Sequence, residues 1–386
     1  MKKFQKKLIP IRNLANGDQQ NIEVLTLKGQ EGGPKVHIQA SVHGAEIQGN
    51  AVIYELLKIL KERDFKGEFV LIPCANPIGI NTKSGTTTQG RFNPVTGDNW
   101  NRNYVDLSGL SLEETNFDVQ KFVDDMIKKN INHDLIKDHF KTFIKNAYDF
   151  YWGNFLKRKG PSDNKFLNIT LQKLATQADI VLDLHTGPKA TRYLYAGEFE
   201  KSSAKHFLTP FSLIIPNKFA GAMDEATFMP WLTLEKEFQK RGQSHSFGFE
   251  SYTLELGSEE TINEQEAKKD AARIVNYLNF KDLSLSDPPA PENPTQHYCL
   301  LKDYKTIYSP KAGLVEFLKS PGEGFQKGDV LASFLNLRGI DSLEKIKKAK
   351  TSLVAEEDGF VITHSTTSVI HEGMELFQVL TNPKPY

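Results

Sequence analysis

Alternation of apolar and polar positions is the first regular feature of the chain. Residues 35–42 alternate in this way, which predicts a strand with one face against a core. Residues 46–63 carry apolar positions at helical spacing, and residues 68–74 form a second strand-like run that ends before Pro77. This order of strand, helix and strand predicts a parallel βαβ unit.

Two further apolar runs have the length of strands. Residues 180–184 are almost wholly apolar, as in a strand that is buried on both faces, and residues 252–256 resemble them. A last helix is predicted to begin at Thr261, which has Glu264 three residues later in the pattern of a capping box. We therefore expect residues 1–285 to form one α/β domain.

Two interruptions divide the rest of the chain. Residues 104–178 are rich in Lys, Asp, Phe and Asn with helical spacing, which predicts a helical insertion in the first domain. Residues 286–295 contain four prolines, which cannot continue a helix or a central strand, so we predict a linker there. A second, β-rich domain is expected over residues 296–386.

The C-terminal region contains an internal duplication. Segment 312–315 matches 358–361, and segment 327–331 matches 372–376, which predicts two copies of one β-hairpin unit. The pattern resembles the barrel-sandwich fold of biotinyl and lipoyl carrier domains. The lysines between the copies lack the flanking methionines typical of a carrier site, so we expect a structural or lid role.

Composition narrows the classes of partner. Forty-eight basic residues balance 48 acidic ones, so no overall field favours nucleic acid or an anionic membrane, and a small molecule is the expected partner. No signal peptide pattern or run of eighteen apolar residues is found, and the two cysteines, Cys74 and Cys299, lie far apart. We predict a cytoplasmic protein.

Candidate metal ligands lie at the predicted strand ends. His43 follows the first strand and Glu46 begins the next helix, so both can face one ion, while His185 follows another buried strand. Two histidines and a carboxylate often hold catalytic zinc and leave a fourth position for water. Asp183 shares a strand face with His185 and is expected to support that histidine.

Other charged residues near these segments suit a hydrolytic reaction. Glu255 ends a strand-like run, where a carboxylate beside a metal can move a proton. Arg91, Asn101 and Arg102 lie in a stretch rich in Gly and Asn. An arginine there would bind a carboxylate or stabilise a carbonyl oxygen that becomes negative.

A family resemblance rests on these segments. The order His-Gly-x-Glu, Asn-Pro, Arg, Asn-Arg, Asp-Leu-His, Glu-Leu-Gly resembles the succinylglutamate desuccinylase and aspartoacylase family, which belongs to the zinc carboxypeptidase-like fold. The resemblance implies a mixed sheet flanked by helices, a β-rich C-terminal domain and one Zn²⁺ per chain. The family's usual Asp-Leu-Asn-Arg is replaced here by residues 99–102, Asn-Trp-Asn-Arg.

The resemblance also implies a role for each site residue. The implied zinc ligands are His43, Glu46 and His185, the general acid and base is Glu255, the carbonyl-polarising residue is Arg91, and the clamp for a substrate carboxylate is Asn101 with Arg102.

These residues predict a zinc-dependent hydrolase that cleaves the amide bond of an N-acyl amino acid bearing a carboxylate. A zinc metallocarboxypeptidase acting on peptides would use the same metal and base. A non-catalytic binding or carrier module, centred on the C-terminal repeat, is a third hypothesis. The sequence leaves a homo-oligomer open.

Overall fold

The computed structural model of the protein describes residues 4–158 and 160–386. Residues 1–3 and 159, which belong to the predicted first domain and its insertion, lie outside the described residues. The described strands are β1 (Gln5–Asn13), β2 (Gln19–Lys28), β3 (Gln30–Ala40), β4 (Lys66–Ile72), β5 (Lys83–Ser84), β6 (Thr87–Thr88), β7 (Ile180–Gly187), β8 (Lys189–Ala190), β9 (Arg192–Gly197), β10 (Phe211–Ile215), β11 (Glu250–Ser258), β12 (His297–Leu300), β13 (Tyr304–Tyr308), β14 (Gly313–Phe317), β15 (Gly324–Phe325), β16 (Val330–Leu335), β17 (Lys350–Val354), β18 (Gly359–His364), β19 (Val369–Ile370), β20 (Glu375–Thr381) and β21 (Lys384–Pro385).

Helices alternate with these strands. The described α-helices are α1 (Gln48–Glu62), α2 (Leu112–Thr115), α3 (Val119–Lys128), α4 (His133–Arg158), α5 (Asp163–Ala175), α6 (Lys201–Ala204), α7 (Met223–Lys240), α8 (Glu264–Phe280) and α9 (Leu343–Lys348). Short 3₁₀ helices cover Gly79–Asn81, Glu198–Glu200, Lys205–Phe207 and Leu301–Asp303. No described helix is long and apolar enough to cross a membrane.

A ten-stranded mixed sheet forms the centre of the fold. Its strand order is β1-β2-β4-β3-β7-β11-β9-β10-β12-β21. The predicted βαβ unit is confirmed, because β3 and β4 flank α1 in sequence and pair in parallel. Strands β3, β7 and β11 also run parallel. Their carboxyl ends therefore meet at one edge of the sheet, where open α/β sheets place their sites.

Helices cover both faces of this sheet. Apolar residues of α1 and α8 pack on one face, against Val36, Ile38 and Leu182. Helices α3, α4, α5 and α7 pack on the other face, where Val181 belongs to their core cluster. The predicted mixed sheet flanked by helices is thus confirmed.

The start of α8 corrects one local prediction. Its N-cap is Asn263, whose side chain accepts the N–H of Glu266 at 3.1 Å. Thr261 instead donates its hydroxyl to the carbonyls of Ser258 and Glu259. The predicted capping box at Thr261 is therefore wrong, because an asparagine two residues later satisfies the helix terminus.

The C-terminal strands form two smaller sheets around a shared core. One sheet has the order β17-β16-β14-β19 and the other β13-β20-β18-β15, and apolar residues from both contribute to one cluster. The prediction of a β-rich C-terminal region is confirmed. The predicted barrel-sandwich fold is not, because among the described residues these strands form two sheets and do not close a barrel. Strands β12 and β21 join the large sheet instead.

Candidate metal and catalytic site

The strand ends bring the predicted chemistry to one place. His43 follows β3, His185 lies in β7 and Glu255 lies in β11, where it is the register partner of His185. Glu46 lies just before α1. The parallel pairing of these strands brings their ends to one edge of the sheet, as the sequence predicts.

The turn after β3 depends on close backbone packing at Gly44. Its N–H donates to the Gly90 carbonyl at 2.8 Å, and a Cβ there would lie 2.1 Å from the carbonyl carbon of Gly79. Only glycine fits so close an approach. Asn76, of the Asn-Pro motif, donates to the Val42 carbonyl at 2.9 Å and thereby fixes the chain just before His43.

Glu46 lies between the two histidine rings. Its Oε1 atom is 2.7 Å from Nδ1 of His43, and its Oε2 atom is 2.7 Å from Nδ1 of His185. All three side chains are buried, and their candidate ligand atoms lie within 4.8 Å of one another.

The outer ring nitrogens have acceptors of their own. Nε2 of His43 is 2.8 Å from Oδ1 of Asn99, and the same oxygen accepts the N–H of Asn101 at 2.8 Å, so it is the amide oxygen that faces the ring. Nε2 of His185 is 2.8 Å from Oδ2 of Asp183. We assign the Nε2 proton to both rings on this basis, which turns both Nδ1 lone pairs toward Glu46.

Two lone pairs and a carboxylate that face one another require a cation. Burial lowers the pKa of His185, but Asp183 and Glu46 outweigh that effect and raise it well above its usual value. The arrangement therefore attracts positive charge, either a proton or a metal ion. Two imidazole nitrogens and a carboxylate are a donor set that fits zinc, so the residues present fit the expected group.

Glu255 has the surroundings of an acid and base catalyst. Its Oε2 atom is buried and has no hydrogen-bond partner among the described residues. Burial and the charge of Glu46 raise the pKa of Glu255 to about 8. A carboxylate whose pKa lies near neutrality can both accept and return a proton.

The arginines and Asn101 lie around the same centre. Nη1 of Arg91 is 3.3 Å from Oε1 of Glu46, and 42% of the Arg91 side chain is exposed. The side-chain amide of Asn101 lies 3.3 Å from Nε2 of His185, and Nη1 of Arg102 donates to the main-chain carbonyl of Asn101 at 2.7 Å.

One cavity of about 360 Å³ unites these groups. Seven of the eight predicted residues line it, and the eighth, Asp183, lies behind His185. Residues that the sequence did not single out also line it, and they include Asn99, Tyr193, Tyr195, Asp224, Glu225, Thr253, Leu301, Tyr304 and Gln378. The altered motif at 99–102 was a signal for Asn99, but no local pattern marked the others.

Comparisons with known proteins agree with this picture. Residues 32–138 and 161–281 match the family described as "Succinylglutamate desuccinylase/Aspartoacylase catalytic domain". No curated protein gives a significant match.

Solved structures add matches over the full length. A protein of Shewanella frigidimarina NCIMB 400 is 36% identical, with a TM-score of 0.91 and coverage of 100% of this chain and 99% of that one. A protein of Shewanella amazonensis SB2B is 38% identical, with a TM-score of 0.90 and coverage of 99% and 100%. Both are described under succinylglutamate desuccinylase/aspartoacylase.

A more distant structure shares the fold alone. The succinylglutamate desuccinylase/aspartoacylase of Rhodobacter sphaeroides is 16% identical, with a TM-score of 0.64 and coverage of 100% of this chain and 95% of that one. The family match spans more than half of the chain and the two Shewanella proteins cover nearly all of it. The chain therefore belongs to the succinylglutamate desuccinylase/aspartoacylase family, a group of deacylating hydrolases.

Proposed function

We propose that the protein is a zinc-dependent deacylase that cleaves the amide bond of an N-acyl amino acid bearing a carboxylate. One observation carries the proposal: a buried His-Glu-His cluster, a carboxylate of raised pKa and two guanidinium groups share one cavity. His43, Glu46 and His185 would hold one zinc ion. When bound, zinc supplies a Lewis acid and lowers the pKa of water toward neutrality.

Glu255 moves the proton in this scheme. Its carboxylate takes a proton from the attacking water and passes it to the nitrogen of the leaving amine. Oε2 of Glu255 has no partner among the described residues, so it is free to accept that proton. The raised pKa lets the protonated acid persist until the amide bond breaks.

The guanidinium groups bind negative charge. Arg91 lies beside Glu46 at the cavity and stabilises the carbonyl oxygen as it becomes negative. Asn101 and Arg102 bind a carboxylate of the substrate. Asp183 orients His185 through its Nε2 atom.

The C-terminal strands serve as a wall of the cavity and not as a carrier. Tyr304 and Gln378 line the cavity, and β18 pairs with β8 beside the sheet edge. These contacts support a structural or lid role for residues 296–386, joined through the linker at 286–295 to residues 1–285.

A hydrolysis screen tests the proposal. Zinc-loaded protein is incubated with N-acetyl and N-succinyl amino acids and with short peptides, and the products are identified by mass spectrometry, with Glu255→Gln as the blank. Release of the free amino acid from an N-acyl compound supports the proposal. Release of C-terminal residues from peptides alone would favour a metallocarboxypeptidase, and no turnover of any compound would reject both.

A further inference from the structure

The helical insertion buries polar side chains on the inner face of one of its helices. Helix α5 carries three amides at four-residue spacing, Asn164, Asn168 and Gln172, and none of them is more than 1% exposed. Residues four apart lie on the same face of a helix, and the face that a helix buries is normally apolar. Because a buried amide is costly unless it is hydrogen-bonded, these three need an explanation.

Two of the amides hold the main chain at and after Arg102. Oε1 of Gln172 accepts the Val105 N–H, and Nε2 of Gln172 donates to the Val105 carbonyl, both at 2.9 Å. Nδ2 of Asn168 donates to the Arg102 carbonyl. Residues 102–105 belong to no described helix or strand. The amides of α5 therefore supply main-chain hydrogen bonds that regular structure does not provide there.

The third amide holds the same loop at Asn99. Oδ1 of Asn164 accepts an N–H of Asn93 at 2.6 Å, and Nδ2 of Asn164 lies 3.4 Å from the main-chain carbonyl of Asn99. The side chain of Asn99 is in turn the partner of Nε2 of His43. A chain of contacts thus runs from α5 through Asn99 to a proposed zinc ligand.

The position of this loop matters because three of its side chains line the cavity, namely Asn99, Asn101 and Arg102. Groups that bind a substrate must be held within about 0.5 Å of their productive geometry by the residues around them. Apolar side chains on α5 would fill the same space but would not fix the path of the loop. Hydrogen bonds are directional, and a satisfied polar network specifies one arrangement.

We propose that Asn164, Asn168 and Gln172 are positioning residues, through which the helical insertion sets the geometry of the loop that binds the substrate carboxylate. The first acts on the zinc site through Asn99, and the other two act on the substrate through Arg102. The inference rests on the proposed function, since it names the groups that position its carboxylate clamp.

Zinc affinity tests the first link without any need for turnover. Asn164→Leu removes the hydrogen bonds of the amide and keeps a side chain of similar size. It should bind zinc about threefold or more weakly than the wild type in competition with a chromophoric chelator, since direct partners of a ligand contribute about 10- to 100-fold and Asn164 is one step further away. Asn168→Leu should bind zinc like the wild type. Unchanged affinity in Asn164→Leu, or an equal loss in both variants, would overturn the inference.

A milder variant keeps this test available if Asn164→Leu does not fold. Asn164→Asp retains the acceptor for Asn93 and removes only the donor that faces the Asn99 carbonyl. It should also weaken zinc binding, and an affinity equal to that of the wild type would count against the inference in the same way.

Kinetics tests the second link. For the N-acyl amino acid found in the hydrolysis screen, Asn168→Leu and Gln172→Met should raise KM about tenfold and leave kcat within about twofold of the wild type. The reason is that a displaced Arg102 weakens binding of the substrate carboxylate in the ground state and the transition state alike. An unchanged KM in both variants would overturn the inference.

Leu171→Ala is the matched control. Leu171 lies in the same helix and is fully buried in the core, but its apolar side chain forms no hydrogen bond with the loop. The substitution leaves a cavity and destabilises the protein, and it should change neither zinc affinity nor KM. Effects in Leu171→Ala equal to those in the amide variants would assign them to stability alone and overturn the inference. If no compound is turned over, the proposed function fails, while the zinc affinities still decide the inference.

Discussion

Nε2 of His185 lies 2.8 Å from Oδ2 of Asp183, and both side chains are almost completely buried. The carboxylate holds the ring so that its Nδ1 lone pair faces Glu46. A partner of this kind fixes the tautomer and the orientation of a metal-ligating histidine. The same arrangement recurs at His43, where the partner is the neutral amide of Asn99.

Asp183→Asn should therefore weaken metal binding without unfolding the protein. The amide keeps the shape but removes the charge that favours the Nε2 proton, and loss of such partners reduces metal affinity by about 10- to 100-fold. Competition with a chromophoric chelator measures the affinity. Asp118→Asn, at the N-cap of α3, is a matched control that should bind zinc like the wild type. Unchanged affinity in Asp183→Asn would remove this residue from the site.

Replacement of Asn99, the hydrogen-bond partner of His43, by aspartate should have the opposite effect on zinc affinity. Asn99→Asp retains an oxygen that accepts from both His43 and the Asn101 N–H, and it adds a charge that raises the basicity of the ligand. We expect tighter zinc binding, while Asn99→Leu should bind zinc more weakly than the wild type. The same chelator competition applies. Identical affinities in all three proteins would show that Asn99 does not orient the ring.

Arg91→Met should lower kcat and leave the zinc content unchanged. Arg91 lies at the rim of the ligand cluster, with its side chain 42% exposed, and none of its atoms is needed to hold the ion. Loss of a group that stabilises an oxyanion reduces kcat by about 100-fold or more. The comparison of kcat with zinc content by elemental analysis separates this role from metal binding. Loss of zinc with the activity would instead assign Arg91 to the integrity of the cluster.

The acidic group at the start of α7 makes stability depend on pH. The pKa of Asp224 is about 7 in the folded chain but about 3.9 in an unfolded one. Because this pKa is higher in the folded chain, the folded state binds the proton more tightly than the unfolded state does. The stabilisation that protonation provides is complete below about pH 4 and is lost as the pH rises through about 7.

Between pH 5 and pH 8 the free energy of unfolding of the wild type should fall by roughly 2–3 kcal/mol more than that of Asp224→Asn. Urea unfolding at the two pH values, at a fixed zinc concentration, measures the difference. Parallel behaviour of the two proteins would mean that Asp224 is not protonated in this range.

Patterns in the sequence predicted the site residues that lie at the ends of the central strands. His43, His185 and Glu255 could be placed together because the ends of parallel strands meet at one edge of a sheet. The cap of α8 was misplaced because Thr261 and Asn263 both suit a helix terminus, and only the path of the preceding loop decides between them.

The rest of the site depends on packing between distant segments. Asp224 reaches the cavity because α7 packs against β11, where Thr253 holds its carboxylate. Tyr304 and Gln378 reach it through the sheet that holds β13 and β20. Neither relationship leaves a periodic signal in the sequence, so neither could be predicted from it.

The most direct test of the central claim is a zinc titration of metal-stripped protein, followed by turnover of the N-acyl amino acid identified in the hydrolysis screen. Turnover should be absent without metal, rise in proportion to added zinc and saturate at one equivalent per chain. His185→Ala should remain inactive throughout. Turnover that persists without metal, or in His185→Ala at normal zinc levels, would contradict a deacylase centred on His43, Glu46 and His185.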